Sequence, residues 1–145
     1  MNNDNKEKRI KKVGEYLEQI FQSLNEKYKK VNADFLGIEV DNYSLDKIPT
    51  SSIKETYIPG ERFCRDTYTL RNRRAYSSNR LNNLKNIGYF EELEETINSN
   101  NDKGILPDID GITSIQCLSP GTLKSTDKSE KTAVFDIQIQ IEYMN

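Results

Sequence analysis

The sequence predicts an α+β fold in which helices pack on one face of an antiparallel or mixed β-sheet of about four strands. Two patterns indicate this fold. Apolar residues recur at intervals of three and four near the amino terminus, which is typical of an amphipathic helix. Near the carboxyl terminus every second residue is apolar, which is typical of a half-buried strand. We expect residues 1–145 to form a single domain, with residues 1–8 as a flexible amino-terminal extension.

The first element is a helix of roughly seven turns with lysines on its outer face. Its apolar stripe consists of Ile10, Val13, Leu17, Ile20, Phe21, Leu24, Tyr28 and Val31. We expect this stripe to pack on the sheet. A strand is predicted next at residues 35–41, followed by an irregular segment at 42–60 that contains a short strand near Ile53–Ile58. So long a loop in a small domain is functional, mobile or contains a further short strand, and we expect an interacting loop before the strand near Ile53–Ile58.

A long strand is predicted at residues 62–76, because its side chains alternate in character. One face is apolar and consists of Cys64, Tyr68 and Leu70. The other face is polar and consists of Arg65, Thr67, Thr69, Arg71 and Arg73.

A pair of short helices is predicted next, at residues 81–87 and 90–97, separated by Gly88. The glutamates between Glu91 and Glu95 then fall in the first turns of the second helix, where the helix dipole favours negative charge. Residues 98–103 are predicted to lie beyond its end.

The chain closes with two predicted strands. One covers residues 112–118, and a polar loop over 119–131, with its turn at Asp127 to Ser129, leads to the other. In the final strand, Phe135, Ile137, Ile139, Ile141 and Tyr143 alternate with a polar set. That polar set consists of Asp136, Gln138, Gln140 and Glu142. At about 3.3 Å per residue this strand is roughly 30 Å long, and a polar face of that length is suited to contacting another molecule.

Composition and motifs disfavour an enzyme. The chain has no histidine, which removes the commonest general base and most zinc sites. Its two cysteines are far apart and are interpreted as free thiols on strands. No glycine-rich phosphate loop is present, and Asp108 to Gly111 is interpreted as a turn rather than a calcium loop. We therefore predict no catalytic residue, no cofactor and no metal site.

The charge pattern favours protein contacts over nucleic-acid or membrane binding. The chain has 23 acidic and 21 basic residues, and neither a secretory signal nor a membrane span is recognised. The charges are unevenly distributed, with a basic block at residues 62–85 and an acidic block at 91–110. The arginine face of the 62–76 strand has two interpretations. It forms a nucleic-acid platform, or, as we favour, it pairs with Asp136 and Glu142 of a neighbouring final strand.

Seven short segments follow one another along the chain in a distinctive order. They are NYSLDKIP at 42–49, YIPG at 57–60, RAY at 74–76, NIGYFEEL at 86–93, LP at 106–107, SIQCLSPG at 114–121 and AVFDIQIQ at 133–140. In these segments the chain resembles the small tail-terminator or minor capsid proteins of tailed bacteriophages and prophages of Gram-positive bacteria. The resemblance covers residues 10–143 and depends on the order and spacing of the segments.

The resemblance implies a structural protein of the virion tail, assembled in the cytoplasm of the bacterial host. Such subunits form a ring, expected to be a hexamer, that caps the head-proximal end of the tail tube and ends its polymerisation. The implied partners are further copies of the chain, the tail tube protein, and a sheath or head-connector protein. No membrane contact is implied, and the DNA contact implied is limited to DNA that passes through the ring lumen.

The candidate interface residues follow from the polar strands and from two tyrosines of the quoted segments. They are Arg65, Arg71, Arg73, Arg74, Asp136, Gln138, Gln140, Glu142, Tyr43 and Tyr57. The segment at 42–60 or the loop at 119–131 is expected to reach a neighbouring subunit or the tube end. Three alternatives stay open: a head-completion or connector adaptor, the tube protein itself, and a nucleic-acid-binding protein that uses the strand from Arg62 to Arg74.

Overall fold

A computed structural model describes residues 3–24, 31–37, 40–49, 53–58, 61–76, 80–119, 121–129 and 131–144. The elements in chain order are α1 (Asn3–Ser23), β1 (Val31–Ala33), β2 (Asn42–Lys47), β3 (Ile53–Ile58), β4 (Glu61–Ala75), α2 (Arg80–Asp102), β5 (Ile112–Cys117), β6 (Thr122–Asp127) and β7 (Thr132–Met144). The α+β prediction is confirmed. The described strands form one mixed sheet of seven strands, more than the number predicted.

Two long strands, β4 and β7, form the centre of the sheet. They pair antiparallel from Phe63 opposite Met144 to Ala75 opposite Thr132. At the Ala75 end the strand order is β1-β2-β4-β7-β6, and at the Phe63 end it is β3-β4-β7-β5. β1 is parallel to β2, whereas the other pairings are antiparallel. The predicted placement of the arginine strand beside the final strand is therefore confirmed.

Both helices pack on the same face of the sheet. Along β7 the side chains alternate between buried and partly exposed, as the period of two predicts. The core joins apolar residues of α1 and α2 to the inward side chains of the central strands. Its largest fully buried members include Phe21, Leu17, Leu93, Ile97, Tyr43, Tyr68, Leu70, Ile137, Ile139 and Tyr143.

The first helix lies nearer the amino terminus than predicted. α1 begins at Asn3, so the helix includes much of the segment that we expected to be a flexible extension. It ends at Ser23, and Val31 belongs to β1 rather than to the helical stripe. Tyr28 lies outside the described residues. Val13, Leu17, Ile20 and Phe21 are buried as expected.

The predicted strand at 35–41 is wrong in its described part, because the strand begins only at Asn42. Asp34 and Asp41 have positive φ angles of 52° and 65°, a conformation that aspartate tolerates and that interrupts an extended chain. Beyond this turn, Tyr43 and Leu45 face the core with strand periodicity. The segment at 42–60 is thus largely β-structure, and the short strand predicted at Ile53–Ile58 is confirmed.

The predicted helix pair is a single helix, α2, which continues through Gly88. A glycine inside a helix costs about 1 kcal/mol relative to alanine. Buried packing of Tyr89, Phe90 and Leu93 on the sheet outweighs this cost. Consequently the glutamates near Glu91 lie in the middle of α2 rather than in its first turn.

The predicted loop at 119–131 also contains a strand. β6 pairs with the first part of β7, with Thr122 opposite Asp136 and Asp127 opposite Thr132. The tight turn predicted after Asp127 is confirmed, and both Ser129 N–H and Oγ–H donate to Asp127 Oδ1. The strand predicted at 112–118 and the location of both cysteines on strands are confirmed as well.

A buried ion pair joins α1 to the sheet. Asp66 of β4 is 1% exposed and accepts a hydrogen bond from Arg9 Nε at 2.9 Å. Tyr68 and Tyr143 donate their hydroxyls to the same carboxylate, at 3.3 and 3.2 Å, and Lys47 Nζ lies 3.9 Å away. Burial and the Asp66 charge raise the pKa of Tyr68, so its hydroxyl stays protonated as a donor. The carboxylate is therefore paired and hydrogen-bonded, as a buried charge requires.

We predict that Asp66→Asn destabilises the protein by about 3 kcal/mol, because the Arg9 charge stays buried without its carboxylate. The measurement is urea unfolding at neutral pH. Asp108→Asn is the control, since Asp108 is 92% exposed and lies 3.6 Å from Lys12. It should change the free energy of unfolding by less than about 0.5 kcal/mol. Equal small effects for the two variants would contradict an anchoring role for Asp66.

Candidate functional site

The face of the sheet opposite the helices carries most of the predicted interface residues, and we call it the open face. Strand periodicity and register bring together polar side chains from three neighbouring strands. These are Ser44 and Asp46 of β2, Arg65, Thr67, Thr69, Arg71 and Arg73 of β4, and Asp136, Gln138, Gln140 and Glu142 of β7. No described helix covers this face.

The arginines of the open face pair with carboxylates of neighbouring strands. Arg65 Nη2 lies 3.0 Å from Glu142 Oε2, directly across the β4–β7 ladder, as predicted. Arg71 lies opposite Asp136 in register, but its ion-pair partner is Asp46 of β2. Nε and Oδ2 are 2.5 Å apart there, although the angle at the N–H does not suit a hydrogen bond. The contact is therefore an ion pair without a hydrogen bond from Nε.

Asp136 is the least satisfied carboxylate of the open face. Its Oδ1 is buried and has no hydrogen-bond partner among the described residues. Burial raises the pKa of Asp136, and the Asp46 charge adds to this effect, whereas the charges of Lys124 and Arg71 oppose it. Asp136 lies in a shallow polar depression of about 240 Å³ that Thr69, Lys124 and Gln138 also line.

Arg73 binds the backbone of the segment that precedes β2. Its Nε donates to the Gly37 carbonyl at 2.8 Å, and its Nη1 lies 3.5 Å from Thr132 Oγ1. Gly37 is closely packed, because a β-carbon at this position would lie 2.6 Å from the Asn42 side chain. Among the described residues, then, Arg73 holds backbone rather than a carboxylate.

Two predicted interface residues lie on the opposite, helix-bearing side. Arg74 donates from Nε to Asn86 Oδ1 at 2.7 Å, and its guanidinium lies 4.2 Å from the centre of the Tyr89 ring. Tyr43 is fully buried, stacks on Phe21 and shares a short hydrogen bond with the Tyr89 hydroxyl. Both residues connect α2 to the sheet. The side chain of Tyr57 lies outside the described part of the chain.

The edge of the sheet at β5 is covered by side chains of α2. Asn98 Oδ1 accepts the Cys117 N–H at 3.1 Å, and Asn101 Oδ1 accepts the Ile115 N–H at 2.9 Å. These two asparagines are three residues apart, so they lie on one side of the helix. These hydrogen bonds satisfy two backbone N–H groups at the sheet edge, which would otherwise be available to pair with another strand. This role was not predicted, because the helix expected from the sequence ended at residue 97.

The edge at β6 has a different character. All six β6 residues are exposed, and Leu123 through Thr126 have no side-chain hydrogen bond among the described residues. A groove of about 490 Å³ lies beside this strand, lined by Tyr76, Ile87, Phe90, Leu123 and Phe135. Unlike β5, this strand presents its outer side to a potential partner.

The described residues contain no group of three or more histidine, cysteine, aspartate or glutamate side chains arranged to hold a metal ion. Neither α1 nor α2 combines the length and the apolar character needed to cross a membrane. Neither a comparison with protein-family models nor a search of curated proteins finds a match to this chain.

We predict that Asp136→Asn stabilises the protein increasingly as pH rises. Because the pKa of Asp136 is raised in the folded state, the stability that its protonated form contributes is present below the ordinary Asp pKa of about 3.9 and is lost as pH rises through the raised pKa. The difference in free energy of unfolding between Asp136→Asn and wild type should grow across that window, to about 1 kcal/mol or less. The measurement is urea unfolding of both proteins between about pH 3 and about pH 7, a range that begins below the ordinary Asp pKa.

Glu142→Gln is the contrasting variant. It removes the carboxylate charge that pairs with Arg65, so it should lower stability at pH 7, by about 1 kcal/mol or less. A loss of stability in both variants at pH 7 would contradict the assignment of Asp136 as an unsatisfied carboxylate.

We also predict that removing the two asparagines opens the β5 edge. Asn98→Ala combined with Asn101→Ala leaves two edge N–H groups without partners and should cost about 2 kcal/mol in total. Association at high concentration should increase as well, because an uncovered edge strand pairs with other chains. Urea unfolding and sedimentation velocity measure the two effects. Glu95→Ala, on an exposed position of α2, should change neither.

Proposed function

We propose that the protein is a structural subunit of a phage tail, or of a headless tail-like particle, that forms a ring on the head-proximal end of the tail tube. The ring ends tube polymerisation and presents an attachment surface for the head or collar. The observation that carries the proposal is the open face, a polar surface over long strands that neither described helix covers. The resemblance of residues 10–143 to tail-terminator proteins supplies the class of assembly.

A ring requires two different surfaces on each subunit. When one surface binds the other on the next copy, the chain of contacts closes if the rotation per subunit divides a full turn. The sheet offers unlike edges at its Ala75 end, with β1 on one side and β6 on the other. Self-association into a closed ring, expected to be a hexamer, is consistent with these two edges.

The chemistry of the open face favours an assembly role over an enzyme or a nucleic-acid-binding protein. Its arginines Arg65 and Arg71 are paired with Glu142 and Asp46, so their charges are not available to a phosphate backbone without breaking those pairs. The net charge of −2 does not favour binding to nucleic acid either. We propose no cofactor, no membrane partner, and DNA contact only through the ring lumen.

The proposed partners are further copies of the chain, the tube protein of the same particle, and a sheath or head-connector protein. The alternative in the same assembly is a head-completion adaptor, which also forms a ring but binds the portal side. Binding to tube ends distinguishes the two, because an adaptor leaves tube growth unchanged.

The test is tube length. The tube protein of the same particle is polymerised alone and with increasing amounts of this protein, and tube lengths and ends are measured by negative-stain microscopy. We predict shorter tubes carrying extra density at one end, at amounts well below one subunit per tube subunit, because only the ends are capped. An unrelated acidic protein of similar size is the control.

Unchanged tube lengths with no density at the ends would contradict the proposal. Retardation of short duplex DNA at physiological salt, falling steeply as salt increases, would favour nucleic-acid binding instead.

A further inference from the structure

The sheet has two edges at its Ala75 end that run in opposite directions. β1 is parallel to β2, and β2 and β7 are both antiparallel to β4. β6 is antiparallel to β7, so β6 is antiparallel to β1. A second copy placed beside the first in the same orientation therefore brings its β1 next to β6 in the direction that antiparallel pairing requires.

No described strand pairs with the outer side of β6, and the strand carries an exposed apolar side chain. Leu123 is 43% exposed and lies on the helix side of the sheet, where it lines the groove with Ile87 and Phe90. Gly121, just before the strand, packs so closely on the Phe90 ring that a β-carbon there would lie 2.4 Å from it. This contact holds the start of β6 against α2. On the other side of the strand, Lys124 lies near Asp136 of the open face.

The β1 edge has a matching groove on its helix side. The groove measures about 450 Å³ and lies between α1 and β1, with Ile10, Val31 and Leu45 among its apolar lining residues. Its α1 side carries Glu15 and Glu18. The Val31 N–H donates to Glu18 Oε1 over a long N-to-O distance of 3.4 Å, so the described residues cover this edge less than the two shorter bonds cover β5.

The two edges have opposite net charge. Residues 122–131 contain three lysines and two acidic residues, which gives a net charge of +1. The β1 groove and its flank contain Glu15, Glu18 and Asp34 against Lys11, which gives a net charge of −2. Electrostatic complementarity of this kind favours a head-to-tail contact over pairing of two identical edges.

We propose that β6 of one copy adds antiparallel to β1 of a second copy and extends its sheet. Leu123 enters the groove between α1 and β1, and Lys124 faces the acidic flank at Asp34. The proposal rests on the proposed ring, and it names the contact between adjacent subunits. Because Asn98 and Asn101 cover the β5 edge, we expect strand addition at β6 rather than at β5.

The main test is the concentration dependence of the mass of Leu123→Glu, by multi-angle light scattering. The new carboxylate meets Glu15 and Glu18 in place of an apolar contact, so self-association should weaken roughly 10- to 100-fold. Ile105→Glu is the matched control, because Ile105 is 51% exposed, follows α2 and lines neither of the two grooves. Thermal unfolding of the dilute variants should be unchanged, which excludes misfolding as the cause.

A second change in the groove should restore the contact. Leu123→Glu combined with Glu18→Lys places opposite charges on the two edges, and we expect self-association to recover at least in part. Leu123→Glu that assembles as wild type does, with Ile105→Glu also normal, would overturn the proposed contact.

Cross-linking covers the case in which wild type assembles only weakly in solution. Ser125→Cys and Asn32→Cys, made together in a Cys117→Ser background, are treated at high protein concentration with a short bifunctional maleimide. We expect a ladder of dimers and larger species from the double variant and none from either single variant. Absence of the ladder would overturn the contact.

The two proposals fail separately. Tubes that end normally with a ring of Leu123→Glu subunits would exclude this contact and leave the proposed function intact. Self-association that depends on Leu123, in a protein that does not affect tubes, would support the contact and contradict the proposed function.

Discussion

The antiparallel pairing of β4 with β7 is the constraint on which the rest of the structure depends. Side chains of a strand alternate between faces, so a shift of one residue in this ladder would exchange the helix-bearing and open faces of one strand. In the observed register, Leu70 and Ile137 meet in the core while Arg65 and Glu142 meet on the open face. The flanking strands β2, β3, β5 and β6 all pair with one of these two strands. The register therefore positions both the core and the proposed assembly surfaces.

The two faces of the ladder use charge differently. On the helix side, Asp66 is buried with Arg9 and two tyrosine hydroxyls, and this pair fixes α1 against the sheet. On the open face, Arg65 and Arg71 pair with carboxylates of adjacent strands and remain partly exposed. Exposed pairs contribute little to stability but define which strands lie side by side. The charges of these two arginines are thus used within the sheet, between neighbouring strands.

Sequence periodicity predicted the central strands well, because β4 and β7 are long and bury one face. It failed where a local signal was opposed by tertiary packing. Gly88 suggested a helix end, yet Tyr89 and Phe90 pack in the core and the helix continues. β2 pairs with β4, more than twenty residues further along the chain, and β1 has three residues, too few for an alternation to be recognised. β6 forms a hairpin with β7, but all its residues are exposed, so it lacks the alternation of a half-buried strand. The burial of Asp66 could have been predicted from the sequence, since Asp66 shares the apolar face of its strand with Cys64 and Tyr68. The hydrogen bond from Cys117 N–H to Asn98 could not, because it joins a helix to a strand through the tertiary fold.

The proposed function requires closed self-assembly, in which the open face and the unlike edges at β1 and β6 would serve as contact surfaces. The most direct measurement is the mass of wild-type protein by light scattering over a wide concentration range, with negative-stain images of the same samples. We predict one discrete species that appears as a closed ring near six subunits, with no larger polymers as concentration rises. Open filaments that lengthen with concentration would contradict it and indicate a tube-forming protein.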